Sequence, residues 1–260
     1  GLNSPFVERM GLVDHQWALV RARRASIDTF LELTTALGSE PDPDVLMALR
    51  KPLAFLANSL IPHAAPESEE RFRAWLLEHF GPAFESLGWD PARGEADDVR
   101  VRRAVLLGIV GVTAESASVV ETARRRCDAY LTDRHSLDAN LADGVVTLAA
   151  RVGDDDRRRQ FLDAMENADT PQEKRRFMLA AADFRDPKLI TEALMLSLSE
   201  RVPTQDVGFL LIRLMANPAA RERTWAFIKR RWPRLRKRIP ALFASRLVDS
   251  TPNLLTPAHR

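Results

Sequence analysis

A single cysteine, Cys127, in 260 residues excludes an intrachain disulfide and any cysteine-rich zinc site. Such usage fits a reducing compartment, so the expected location is the cytoplasm. No run of residues comes near the roughly 20 consecutive apolar positions that a helix needs to cross a bilayer. Nor does a basic stretch followed by an apolar one open the chain. Neither sign of charge dominates: 38 Lys and Arg against 36 Asp and Glu leave +2, too little for a whole-chain field that gathers nucleic acid. Sustained period-two alternation, the mark of half-buried strands, is missing. So are the Gly-x-x-x-x-Gly-Lys phosphate loop and the glycine-rich dinucleotide fingerprint.

What remains is an ordinary globular composition, 45% hydrophobic and 28% charged, with helical periodicity nearly throughout. Val207, Leu210, Leu211 and Leu214 share one helical face, as do Phe177, Ala180, Ala181 and Phe184; Trp225, Ile228 and Trp232 continue the pattern. Asp42-Pro43, Thr170-Pro171, Asp186-Pro187 and Asn217-Pro218 each place a capping oxygen before a proline whose missing N–H costs nothing at a helix start. Thr170 with Glu173 spells a full capping box. The predicted helices are 4–22, 26–37, 43–62, 67–87, 97–111, 114–132, 137–151, 155–167, 171–183, 187–200, 204–216, 218–231 and 240–249. The expected fold is all-α over a single domain, 1–260, with a subdivision conceivable near 88–98. From Pro187 onward, Leu189, Ile190, Ala193, Leu194, Met195, Leu196 and Leu198 are too many apolar side chains for one face, so this helix should be sandwiched between neighbours. Antiparallel pairs stacked into an array would do that, with a degenerate repeat. The opening Gly1-Leu2-Asn3 lacks methionine and reads as part of something longer.

Several blocks together resemble the C-terminal domain of aminopeptidase N and puromycin-sensitive aminopeptidase. They are Ala168-Asp169-Thr170-Pro171-Gln172-Glu173-Lys174, Phe184-Arg185-Asp186-Pro187-Lys188-Leu189, Gln205-Asp206, Ala216-Asn217-Pro218 with Arg221, and Trp225 to Lys229 with Trp232. Earlier, Gly11 to Asp14 with Trp17-Ala18-Leu19 looks like the opening of that domain, and Leu87-Gly88-Trp89 like its middle. The resemblance implies a HEAT-like or armadillo-like superhelix that closes over a catalytic domain of the same polypeptide and walls off a cavity admitting peptides. Enzymes of this class hold zinc with His-Glu-x-x-His, two imidazoles one turn apart and a glutamate that activates water. Here His15, His63, His79, His135 and His259 have no such spacing, so no catalytic, metal or cofactor residue is expected in this chain. Zinc is expected in the missing catalytic part.

Three residues are candidates for the substrate cavity: Gln205, Asp206 and Arg213. In some relatives a basic residue of this helix senses substrate. Counting from Gln205, that position falls on Ile212, with Arg213 one step and about 100° away. The alternative is that Gln205 and Asp206 cap a helix while Arg213 is solvated. Asp163-Ala164-Met165-Glu166-Asn167 nearly spells the family's Gly-Ala-Met-Glu-Asn signature for a free amino terminus, but it ends an amphipathic helix and lacks the glycine. Arg124-Arg125-Arg126 precede Cys127 yet fan around a helix axis, which favours a structural thiol. The run Lys229 to Arg238 is densely basic. It reads as a helix end broken by Pro233, offset in space by Glu67, Glu69 and Glu70 or by Asp154 to Asp156, rather than as a nucleic-acid or membrane site. The tryptophans read as core packing rather than stacking platforms. A stand-alone scaffold for protein partners and a basic nucleic-acid module are the competing functions.

Overall fold

The computed structural model describes residues 5–255, which form helices, π-turns and 3-10 turns with no strand among them. The α-helices are α1 (Phe6–Arg21), α2 (Ile27–Ala36), α3 (Pro43–Phe55), α4 (Ile61–Ala64), α5 (Glu69–Leu87), α6 (Asp97–Leu107) and α7 (Ala117–Thr132). They continue as α8 (Ala139–Arg151), α9 (Asp155–Glu166), α10 (Pro171–Ala180), α11 (Pro187–Leu196), α12 (Thr204–Ala216), α13 (Arg221–Leu235) and α14 (Ala241–Asp249). The all-α class holds, and every predicted span has a counterpart.

The caps explain most of the boundaries. Asp42 accepts from the N–H of Asp44 at 2.9 Å, and Asp186 from that of Lys188 at 2.8 Å. Thr170 Oγ1 accepts from the Glu173 N–H at 3.1 Å, but the box is only half built, because the Glu173 carboxylate is held by Arg134 Nε at 2.5 Å. Asn217 closes a turn onto the Ala219 N–H at 3.0 Å, and α13 starts only at Arg221, three residues after the predicted start. Pro233 does not break α13 either: it sits in the last turn, where only one carbonyl loses its donor, and the helix continues to Leu235.

Two π-turns were not foreseen. Leu56–Leu60 joins α3 to α4, between Pro52 and Pro62, which remove two i→i−4 bonds from one continuous helical stretch. That stretch, Pro43–Ala64, is long and apolar enough to cross a membrane, contrary to the reading of the sequence, where Asp44, Arg50 and Lys51 interrupt the run. Its Val45, Leu46, Leu49, Leu53 and Leu56 are buried, and α3 packs on α1 and α6. The second π-turn, Gly108–Thr113, extends α6 and is closed by Thr113 Oγ1 donating to the Gly108 carbonyl at 3.2 Å.

The helices gather into two compact units, Gly1–Thr122 with His135–Gly144 and Ala123–Arg134 with Val145–Arg260, divided within α7 and α8. In the first unit Trp17 packs on Phe30 and Phe55, with ring centroids 5.1 and 6.0 Å apart. Gly38 meets α5 so closely that a Cβ there would lie 2.6 Å from the His79 carbonyl oxygen. The loop 88–96 belongs to this unit and is pinned by Arg103, a side chain only 1% exposed. Its guanidinium donates to both Glu95 carboxylate oxygens at 2.7 Å and to the carbonyls of Gly88 and Leu87 at 3.0 and 3.2 Å.

In the second unit the ion pairs give helix directions. Asp155 pairs with Lys188 at 2.9 Å and Arg158 with Glu192 at 2.7 Å, so α9 and α11 run the same way. Arg175 pairs with Asp206 and, one element length further, Asp183 with Arg213, so α10 and α12 also run the same way. Arg223 of α13 donates to Thr191 of α11 at 3.2 Å. Successive helices therefore alternate between two rows, α9, α11 and α13 in one and α10 and α12 in the other. This is how each helix pair buries its apolar face on the next. Phe161, Phe177 and Phe184 fill the space between α9 and α10, and Val207, Leu210, Leu211 and Leu214 are fully buried on α12.

Candidate functional site

The helix that carries Gln205, Asp206 and Arg213 begins at Thr204 after an N-terminal Pro203 that gives no side-chain cap, so neither Gln205 nor Asp206 is the capping residue. Asp206 and Arg213 are seven residues apart and lie on one face about 10 Å apart along the axis. Gln205 is exposed, a sixth to a third of a turn away from both. The Asp206 carboxylate is buried and accepts from Arg175 Nε at 2.8 Å, while that guanidinium also lies over the Phe209 ring, 4.5 Å from its centroid. Arg213 is not a free cation. Its fork donates to Asp183 through Nε at 3.0 Å and Nη2 at 2.5 Å, and Nη2 reaches Thr147 Oγ1 at 2.5 Å. The face thus links α12 to α10 and α8. A carboxylate or carbonyl of a ligand would meet guanidiniums already engaged with Asp206 and Asp183.

A second surface was not read from the sequence at all. Along the row of α9, α11 and α13 two grooves flank α11. The larger, about 430 Å³, is lined by Leu162, Leu189, Ala193, Met195 and Leu196, with Arg158 and Arg201 at its rim. The smaller, about 230 Å³, has Leu194, Met195, Ala226 and Phe227 below Thr191, Arg223 and Arg230. Leu189, Ile190, Ala193 and Leu194 are buried as expected, but Met195 is 51% exposed between the two grooves instead of sandwiched. The apolar count along α11 predicted burial, and no local signal marks the one methionine left uncovered.

Residues 3–260 match the ERAP1-like C-terminal domain. The chain belongs to that family. It is 26% identical to aminopeptidase M1-B of Oryza sativa subsp. japonica over 98% of its own length and 29% of that relative's. It is 28% identical to aminopeptidase M1 of Arabidopsis thaliana, covering 87% of this chain and 26% of the relative. For endoplasmic reticulum aminopeptidase 2 of Bos taurus the identity is 23%, over 89% of this chain and 24% of the relative. The chain therefore spans 24–29% of the length of these relatives.

The residues of this ERAP1-like domain do not fit the zinc that the resemblance implies: among the described residues no three His, Cys, Asp or Glu side chains converge on one point. His79 Nδ1 is occupied by the Trp75 carbonyl at 2.8 Å, and His259 lies outside the described residues. Cys127 is fully buried, and desolvation pushes its thiol up to about 12, with Arg157 only partly opposing, so it carries almost no thiolate at neutral pH. The near-signature at Asp163 to Asn167 lies at the end of α9, with Ala164 and Met165 buried and Glu166 paired to Arg201. Of the acids expected to offset the basic run, Asp154 caps α9, Asp155 pairs with Lys188 and Asp156 with Arg159. Trp17, Trp75 and Trp89 pack on other rings, whereas Trp232 is 37% exposed.

Proposed function

We propose that this chain is the non-catalytic C-terminal domain of a zinc aminopeptidase, enclosing the active-site cavity and helping to select peptides for removal of their N-terminal residues. The observation that carries this reading is the match to the ERAP1-like C-terminal domain from residue 3 to residue 260, against relatives of which the chain spans 24–29%. The two rows of parallel helices in the second unit support a HEAT-like superhelix of antiparallel pairs. Such an array presents helix ends and one row of faces toward whatever it encloses.

Zinc would be held in the catalytic part outside this chain, where it would activate water. Within the chain, Gln205 would be the cavity residue free to meet a peptide directly. Asp206 and Arg213 would set the position of α12 through Arg175 and Asp183 and so act on peptides at one remove. A single buried thiol supports a reducing, cytoplasmic setting. The reading is tested on the coding region that precedes Gly1: several hundred residues in frame, containing His-Glu-x-x-His and a downstream glutamate, are expected. An upstream sequence without that motif would remove the enzyme from the account.

A further inference from the structure

We propose that the groove between α11 and α13 binds, in trans, an acidic amphipathic helix of a partner protein. The argument begins with charge. Residues 221–238 hold nine Lys or Arg against one acid, Glu222, in a chain whose net charge is only +2. Some of these cations serve the fold: Arg221 donates to the Asn253 carbonyl, and Arg238 to those of Ser199 and Val202. Arg223 and Arg230 differ, although Arg223 also donates to the uncharged Thr191 hydroxyl at 3.2 Å. Both are exposed, neither has an acidic partner among the described residues, and both stand on the wall of the smaller groove.

The floor supplies the second half of the argument. Leu194 and Phe227 are buried beneath an open surface made of Met195 and Ala226. Arg223 and Arg230 are seven residues apart, two helical turns or about 10 Å. A helix lying along the groove with carboxylates at i and i+7 meets both guanidiniums. The residues between, at i+3 and i+4, then point to the methionine and alanine. Methionine suits such a floor, because its unbranched side chain reshapes around different partners. A flat anionic bilayer cannot enter a walled groove, and a polyphosphate has nothing apolar to set against Met195, Ala226 and Phe227. Charge complementarity with an apolar centre favours a polypeptide. The groove is lined by none of Gln205, Asp206 and Arg213.

The test uses the 260-residue chain and a fluorescein-labelled helical peptide with two glutamates seven residues apart and two leucines between them, read by fluorescence anisotropy. Saturable one-to-one binding is expected. It should weaken at least about tenfold when the glutamates become glutamines or the leucines become serines, changes that leave the protein untouched. The same loss is expected for Arg223→Glu with Arg230→Glu, and for Met195→Glu, all exposed positions whose folding is checked by circular dichroism. Arg236→Glu with Lys237→Glu, on the same basic run but off the groove, should leave binding within about twofold. The proposal is overturned by non-saturable binding, or by equal loss in the Arg236 and Lys237 variant. It is equally overturned by binding of oligothymidylate or phosphatidylserine vesicles as tight as that of the peptide. Binding by this chain that vanishes in the full-length parent would assign the groove to a segment of the parent, and would likewise overturn a partner in trans.

Discussion

Thr170 is legible from sequence and structure alike: a hydroxyl before a proline, accepting from the Glu173 N–H at 3.1 Å. Thr170→Ala should destabilise the chain by about 1 kcal/mol in a reversible urea melt, and an unchanged midpoint would deny the cap. The other half of the box does not form, because Glu173 is taken by Arg134, 39 residues away, and no local pattern announces so distant a partner. Arg103 belongs to the same class. Nothing in the sequence distinguishes it from Arg102, yet it is buried and binds Glu95 and the carbonyls of Leu87 and Gly88. Arg103→Ala should cost about 3 kcal/mol by leaving buried acceptors unpaired. Its hydrogen bonds hold the Glu95 carboxyl below the usual range. A depressed folded-state pKa gives stability that is complete above the ordinary carboxylate range and lost as pH falls through the lower folded value. Glu95→Gln should therefore flatten the acid limb of a stability-against-pH curve while leaving its neutral-to-basic shape unchanged.

Helix identity was written in apolar spacing and in prolines, and its ends in capping side chains, so the order of elements followed from local chemistry. Three features did not. The π-turns at Leu56–Leu60 and Gly108–Thr113 arise where backbone hydrogen bonds shift register inside a continuous helix, which leaves the hydrophobic period almost unchanged. α13 starts late because Asn217 closes a separate turn first, and it ends late because a proline in a last turn costs only one bond. The candidate site was half legible for a similar reason. Helical spacing places Asp206 and Arg213 on one face, but Arg175 and Asp183, 31 and 30 residues away, decide what those groups can do. If the Arg213–Asp183 pair ties α12 to the end of α10, a double-mutant cycle with alanine at both positions should show a coupling of about 1–2 kcal/mol. Additive effects would mean that the two elements are held by their apolar faces alone.

At the scale of the molecule the fold class and family were both readable, the first from periodicity and the second from the order of capped blocks between Gly11 and Val248. The exposed Met195 and the placement of Arg223 and Arg230 beside α11 were not, since both depend on which helix lies beside which. Peptide selection without catalysis is the claim on which the functional account rests. It is tested most directly by incubating the purified 260-residue chain with zinc and a panel of aminoacyl-fluorophore substrates, with bound metal measured in parallel. The expected result is intact substrate and no stoichiometric zinc; zinc-dependent release of fluorophore by this chain alone would contradict it.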